Sequence, residues 1–305
     1  MPVFFAPLVF LLLVLGTAPL MPGIASRTKS LLTGRRGAPV WQLYADLWRL
    51  AQRGAVYSTT TTWVFRAAPV ALLTAVLASA ALVPFDGHRS LVSFSGDAVA
   101  FAYVLGFGRF ALVLGALDTG SSFEGMGASR EVTFATAVEF GLLLSFAALV
   151  IATGEMSLTG MLGEPLAMRW PAATTSLILV AIGLFALLLA ECARVPVDDP
   201  STHLELTMVH EVMVLDHSGP DLALIAYAGA VKFALFGAVA AAVALPRATW
   251  SPMASALGLL GGMFLCSMAV GIVESSMARL RMVKVPLYIA GSVALGGFGL
   301  ILLLR

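Results

Sequence analysis

Charge is what this sequence has least of. Of its 305 residues only 11% are Asp, Glu, Lys or Arg, less than half the share of about 25% usual in soluble proteins. The 18 Lys and Arg nearly balance the 17 Asp and Glu, giving a net charge of +1. No basic surface is available to neutralise a run of phosphates, so nucleic acid is excluded as a bulk-charge partner. Cysteine is almost as scarce. Cys192 and Cys266 form no CxxC, which excludes a disulfide framework and leaves too few thiolates for an iron–sulfur cluster or an all-cysteine zinc site in this chain. No P-loop, GxGxxG, HExxH or Ser/His/Asp arrangement stands in a credible context. Apolar residues make up 59% of the chain and the mean hydropathy is +0.95. The expected class is an all-α integral membrane protein.

A bilayer core takes about 20 mostly apolar residues per helix. Eight stretches qualify and together form a single membrane domain over 1–305: 2–20, 67–85, 98–117, 132–154, 170–190, 222–245, 253–273 and 285–304. The first has no basic residue ahead of it and Arg27, Lys29, Arg35 and Arg36 behind it, the reverse of a signal peptide, so it reads as a permanent helix. Eight spans put both termini on one side. The odd-numbered loops hold eleven Lys or Arg and the even-numbered loops with the C-terminus four. The positive-inside rule then places the odd loops in the cytoplasm and both termini outside.

Two cytoplasmic loops look structured. In the first, Val40, Leu43, Tyr44, Leu47 and Leu50 recur at helical spacing, flanked by Trp41 and Trp48. That pattern predicts an amphipathic interfacial helix, serving as a membrane-surface anchor or as a docking surface for a soluble partner. The fifth loop, about Cys192 to Asp221, is too long for a simple hairpin connection. A helix is expected over His203–Leu215, begun by Pro200–Ser201 and stopped by Gly219–Pro220. His203, His210 and His217 are spaced by seven; one helix through all three would put them on one face, too far apart along it to share a metal ion, which leaves proton buffering or partner contact as their expected role.

Ionisable groups inside the hydrocarbon cost several kcal/mol each and are functional candidates by default. Arg109, Glu139 and Lys232 interrupt apolar spans, and Glu191 and Glu274 stand at span ends. Two readings stay open: ion pairs that lock the helices in register, or a chain of protonatable groups that moves protons or transmits charge. A stand-alone secondary transporter is a further possibility, although no internal repeat supports it. A purely structural anchor would tolerate neutralisation of every buried charge.

Specific motifs add to this. Glu191-Cys-Ala-Arg-Val-Pro-Val-Asp resembles the Glu-x-x-Arg-x-Pro-x-Asp signature of the H-type membrane subunits of respiratory complex I. Three further stretches resemble the matching membrane protein of formate hydrogenlyase and hydrogenase-4, the group 4 membrane-bound nickel–iron hydrogenases: Leu117-Asp-Thr-Gly-Ser-Ser-Phe-Glu-Gly-Met-Gly-Ala-Ser-Arg-Glu-Val-Thr, Glu274-Ser-Ser-Met-Ala-Arg-Leu-Arg and Gly34-Arg-Arg-Gly. The sequence departs from the hydrogenlyase pattern after Asp198, where an acidic run is replaced by Asp198-Asp-Pro-Ser-Thr-His-Leu-Glu-Leu and only Glu205 keeps the acidic position before Leu.

The resemblance implies a non-catalytic coupling subunit of an oxidoreductase complex in a bacterial or archaeal plasma membrane. Such a subunit binds no cofactor itself. It seats a soluble cytoplasmic arm, whose small subunit carries iron–sulfur clusters and whose catalytic large subunit carries a nickel–iron centre, and joins it to antiporter-like membrane subunits. Under this reading the coupling groups are Glu131, Glu139, Glu191, Asp198, Asp199, Glu205, Glu211, Lys232 and Glu274. Arg35, Arg36, Arg109, Arg130, Arg194 and Arg279 serve docking or structure. In complex I itself, the first and fifth loops bound a quinone chamber, the alternative role for this chain.

Overall fold

A computed structural model describes the chain over residues 2–198, 208–247 and 249–304, and its side chains from residue 5 onward. The described residues are largely helical, with no strand among them. Twelve α-helices follow in order: α1 Pro2–Thr17, α2 Leu20–Leu32, α3 Gln42–Ala51, α4 Trp63–Leu82, α5 Asp97–Asp118, α6 Ser122–Thr153, α7 Leu158–Met161, α8 Glu164–Arg169, α9 Thr174–Glu191, α10 Gly219–Ala244, α11 Pro252–Ser276 and α12 Val285–Leu303. Seven are long and apolar enough to cross a membrane: α4, α5, α6, α9, α10, α11, and α12 with the 3₁₀ turn Met282–Lys284 ahead of it. The pair α1 and α2 passes the same test jointly, bent by 41°.

Three boundaries differ from the apolar runs. The first run ends near Leu20, yet the chain bends there and continues helical to Leu32, because Pro19 lacks the N–H that a straight helix requires. This carries Arg27 and Lys29 on a helix. The fourth span begins at Ser122 rather than at Val132; Glu124, Met126, Ala128 and Arg130 are adequate helix formers despite their polarity, so most of the expected third loop is helix. The helix expected over His203–Leu215 is, within the described residues, only a 3₁₀ turn, Glu211–Val214, and His203 lies outside them. His210 precedes that turn and His217 follows it, so these two share no helix face. The expected helix of the first loop is present as α3, with Trp41 and Trp48 exposed.

The most enclosed helix is α10, which packs against α4, α9, α11 and α3. Its many Ala and Gly residues let neighbouring backbones come close, as helices packed within a membrane require. Helix ends near the loops are fastened by side chains. The Thr62 hydroxyl accepts from the Val64 N–H and caps α4, while the Thr62 N–H donates to Asp118 at the end of α5 (2.6 Å).

The segment from Met208 to Ser218, described below as the strap, lies across the start of α6. It fits because position 127 is glycine: a Cβ there would stand 2.2 Å from Val212 Cγ1 and 3.0 Å from the Val209 carbonyl oxygen. Gly127→Val is therefore expected to cost about 1–3 kcal/mol by overpacking, read as a lower thermal midpoint in detergent. Gly125→Val, which faces open space, should leave the midpoint almost unchanged.

Candidate functional site

Between α5, α6, α9 and α10, five charged side chains meet inside the bundle, of which only Glu191 stands at a helix end. Arg109 of α5 is the centre. Its Nη1 donates to Glu139 Oε1 (3.0 Å) and its Nη2 to Glu191 Oε1 (2.6 Å). Its Nε has no hydrogen-bond partner, and Glu131 Oε1 stands 3.6 Å away as an ion pair. Lys232 of α10 reaches the same Glu191 oxygen at 3.4 Å. Glu131 and Glu139 share α6, two turns apart, and Gly106 of α5 leaves room for the second: a Cβ there would stand 2.9 Å from Glu139 Oε1. Three carboxylates against two cations leave one negative charge in excess when all are ionised, so a single added proton neutralises the cluster.

A second group lies beside it. Arg279 Nη2 pairs with Asp198 Oδ1 at 2.8 Å, and Asp198 Oδ2 accepts from the N–H groups of Val209 (3.1 Å) and His210 (3.4 Å). Glu274 pairs with Arg194 at 3.4 Å and lies 3.9 Å from Lys29 of α2. Arg194 also rests over the Phe233 ring, 5.2 Å from its centroid. Two voids join these groups to the first cluster. One of about 20 Å³ is lined by Glu131, Glu191 and Asp198, room for about one water. The other, about 300 Å³, has Glu191, Lys232, Arg194 and Asp198 among its polar lining and Leu43, Val214, Ile225 and Phe233 among its apolar lining.

Burial keeps two other groups of the larger cavity neutral. The Cys192 thiol is pushed up to about 12, and the His210 imidazole is pulled down from 6.5 to about 4. For both, desolvation disfavours the charged form. Of the remaining sequence candidates, Glu211 lines the same cavity. Arg130 donates to the Met208 carbonyl (3.0 Å). Arg35 and Arg36 are exposed on the first loop. Asp199 and Glu205 lie outside the described residues. Among the described residues no group of three or more His, Cys, Asp or Glu is placed to hold a metal ion.

Three polar groups of these surroundings are not marked as site residues by the sequence. Lys29 reads there as a topology charge, and nothing in its spacing reveals its approach to Glu274. Glu124 reads as an ordinary loop acid but is 1% exposed, and His217 is 3% exposed. Glu124 lies inside the 117–133 stretch and His217 in the series of three histidines, but neither pattern shows that the residue is buried.

Residues 5–302 match the family model described as NADH dehydrogenase. The chain belongs to the NADH dehydrogenase family. Its relatives include hydrogenase-4 component C of Escherichia coli (strain K12), 34% identical over 229 residues that cover 75% of this chain and 71% of that one. Formate hydrogenlyase subunit 4 of the same strain is 28% identical over 286 residues, 90% of this chain and 91% of the relative. The H-type membrane protein of the NADH-quinone oxidoreductase of Rubrobacter xylanophilus is 25% identical over 190 residues, 62% of this chain and 56% of the relative. The fold also matches a chain in the structure of the membrane-bound sulfane sulfur reductase, an archaeal respiratory membrane complex. The TM-score is 0.78 at 16% identity, over 99% of this chain and 100% of that one; at that identity the likeness is one of fold.

Two outcomes follow for this family member. Arg109→Ala strands buried carboxylates and is expected to destabilise the protein by about 3–5 kcal/mol, seen as a large drop in thermal midpoint, while Glu139→Gln, at the more exposed end of the cluster, costs less. His210 makes stability pH-dependent. Above the ordinary histidine value neither state binds a proton there. Between 6.5 and about 4 the unfolded chain binds one that the folded chain does not, so stability falls as pH falls across that window. His210→Asn should flatten this part of the stability–pH curve, and an unchanged curve would show that the ring is not held neutral.

Proposed function

We propose that this chain is the membrane anchor and energy-coupling subunit of a complex I-like, hydrogenase-type redox complex. It docks a soluble arm, comprising a cluster-bearing small subunit and a catalytic large subunit, on the side of the first, third, fifth and seventh loops. It links electron transfer in that arm to movement of protons, or sodium ions, through antiporter-like neighbours. By charge bias those loops face the cytoplasm, with both termini on the outer side of a bacterial or archaeal plasma membrane.

One observation carries this reading: the charged groups form a linked set rather than separate locks. Glu139, Arg109, Glu191 and Lys232 are in contact, and a water-sized void reaches from Glu191 to Asp198. Asp198 in turn holds the strap by two backbone N–H groups. A charge change at the loop face, where an electron carrier docks, alters the field at Asp198 and Arg194, and from there the proton affinity of the cluster. The negative charge in excess gives that cluster room for one proton. Two cations need only two carboxylates for charge balance, and the cluster holds three.

A second reading has its own observation. The cavity of about 300 Å³ is bounded by Leu43 of α3, by His210, Glu211 and Val214 of the strap, and by the apolar face of α10. A cavity with apolar walls beside charged groups suits a quinone, and the chain would then be the quinone-chamber subunit of a quinone-reducing dehydrogenase.

Purification of the chain in mild detergent, with metal analysis and mass spectrometry of what accompanies it, tests these readings. Nickel, iron and a cluster-bearing arm are expected. Iron–sulfur subunits with bound quinone and no nickel would support the second reading. A monodisperse chain alone would overturn both in favour of a stand-alone transporter.

A further inference from the structure

The strap from Met208 to Ser218 forms part of the cavity wall and leads into α10. Four sets of hydrogen bonds fasten it: Asp198 to the N–H groups of Val209 and His210, Arg130 to the Met208 carbonyl, Glu124 Oε1 to the Asp216 N–H (3.2 Å), and the Ser218 hydroxyl to the Val56 N–H (3.1 Å). Between the last two sits His217. Its ring lies flat on Phe65 of α4, with centroids 3.9 Å apart and planes 6° from parallel. Neither Nδ1 nor Nε2 has a hydrogen-bond partner, and Glu124 Oε2 has none either.

Buried polar atoms are normally satisfied, and each exception calls for a reason. Here three of them gather where the strap meets α4 and α6. A neutral imidazole tolerates a stack against an apolar ring, whereas an imidazolium requires two acceptors. Carboxylates stand near, and Glu124 Oε2 is without a hydrogen-bond partner. The charged and titratable groups around this end, among the described residues, are Asp216 on the strap, Asp221 at the start of α10, Glu124 of α6, Asp118 of α5, and Arg66 of α4 over the Tyr57 ring. Burial holds the His217 pKa below the ordinary histidine value, with Asp221 and Asp216 acting in opposition.

We propose that the strap is a proton-sensitive latch, in which protonation of His217 turns its ring from Phe65 toward the neighbouring carboxylates and releases the strap from α4 and α6. Release opens the cavity wall that carries His210, Glu211 and Val214, and so exposes Glu191 and Lys232. Only this last consequence rests on the coupling reading; the latch itself does not. A releasable strap beside the charge cluster lets the loop face sense proton availability before a partner acts on it.

Hydrogen exchange read by mass spectrometry, on the full chain in lipid nanodiscs at about pH 7.5 and about pH 5, tests the latch, with rates corrected for intrinsic chemistry and the ordinary histidine range lying between the two conditions. Peptides covering 209–218 are expected to exchange about tenfold faster, after correction, at the lower pH, while peptides from α9 do not change. His217→Phe keeps the stack and removes the proton site, so the pH step should disappear; His217→Leu serves the same purpose if the first variant does not fold. Equal strap protection at both pH values in the wild type, which needs no variant, would overturn the latch, as would an undiminished step in His217→Phe. Because the chain is probed without its partners, a pH-insensitive strap leaves the coupling reading intact, and recovery of the chain without partners leaves the latch intact.

Discussion

A guanidinium inside a membrane helix must find its counter-charges within the protein, and Arg109 finds three of them. Placing such a group at the centre of a bilayer costs about 3 kcal/mol even on the more lenient insertion scales. The cost is offset only where neighbouring helices bring acceptors to the right height. Glu131 and Glu139 of α6 and Glu191 of α9 do so, and Lys232 of α10 closes the set. Three helices are thereby fixed in register by one side chain, and Lys232 adds α10 through Glu191. The short Gly106 surface under Glu139 and the small residues of α10 read as consequences of that requirement, since bulkier residues would hold the charged groups apart.

The cluster reaches the loop face through α9. Glu191 is the last residue of α9, and the chain turns at once through Arg194 and Asp198 back toward the bundle. Charges there can be screened by the loop layer, yet they remain buried enough to feel one another strongly. The strap then lies over them, held by Asp198 on one side and by Glu124 on the other. Structural fastening and the proposed charge sensing thus fall on the same residues, Asp198 first among them.

Much of the architecture is legible in the sequence because lipid imposes length and apolarity on each span. Arg109, Glu139 and Lys232 stand out as charges in apolar runs, and Glu191, Arg194 and Asp198 as members of a signature. Their mutual contacts are not legible: Arg109 and Glu191 are 82 residues apart, and nothing local records that they meet. Hydropathy starts helix α6 too late, since it penalises the Glu and Arg that helix propensity accepts. The heptad spacing of the histidines suggests a helix, but the backbone forms a short 3₁₀ turn and leaves His217 beyond it. Glu124 lies inside a resembling stretch, yet its burial is not legible there, because an acid in the first turn of a helix usually serves the helix dipole.

The cluster around Arg109 is proposed to move charge as well as hold helices, and Glu191, shared by both cations, is the group on which that claim turns. The most direct measurement is the ratio of ions moved to electrons transferred by the whole complex in proteoliposomes, comparing wild type with Glu191→Gln. The substitution keeps the size of the side chain and removes its charge. If the cluster couples, the variant complex assembles and still transfers electrons but moves far fewer ions per electron. An unchanged ratio in a fully assembled variant would contradict coupling and leave the cluster as a lock between helices.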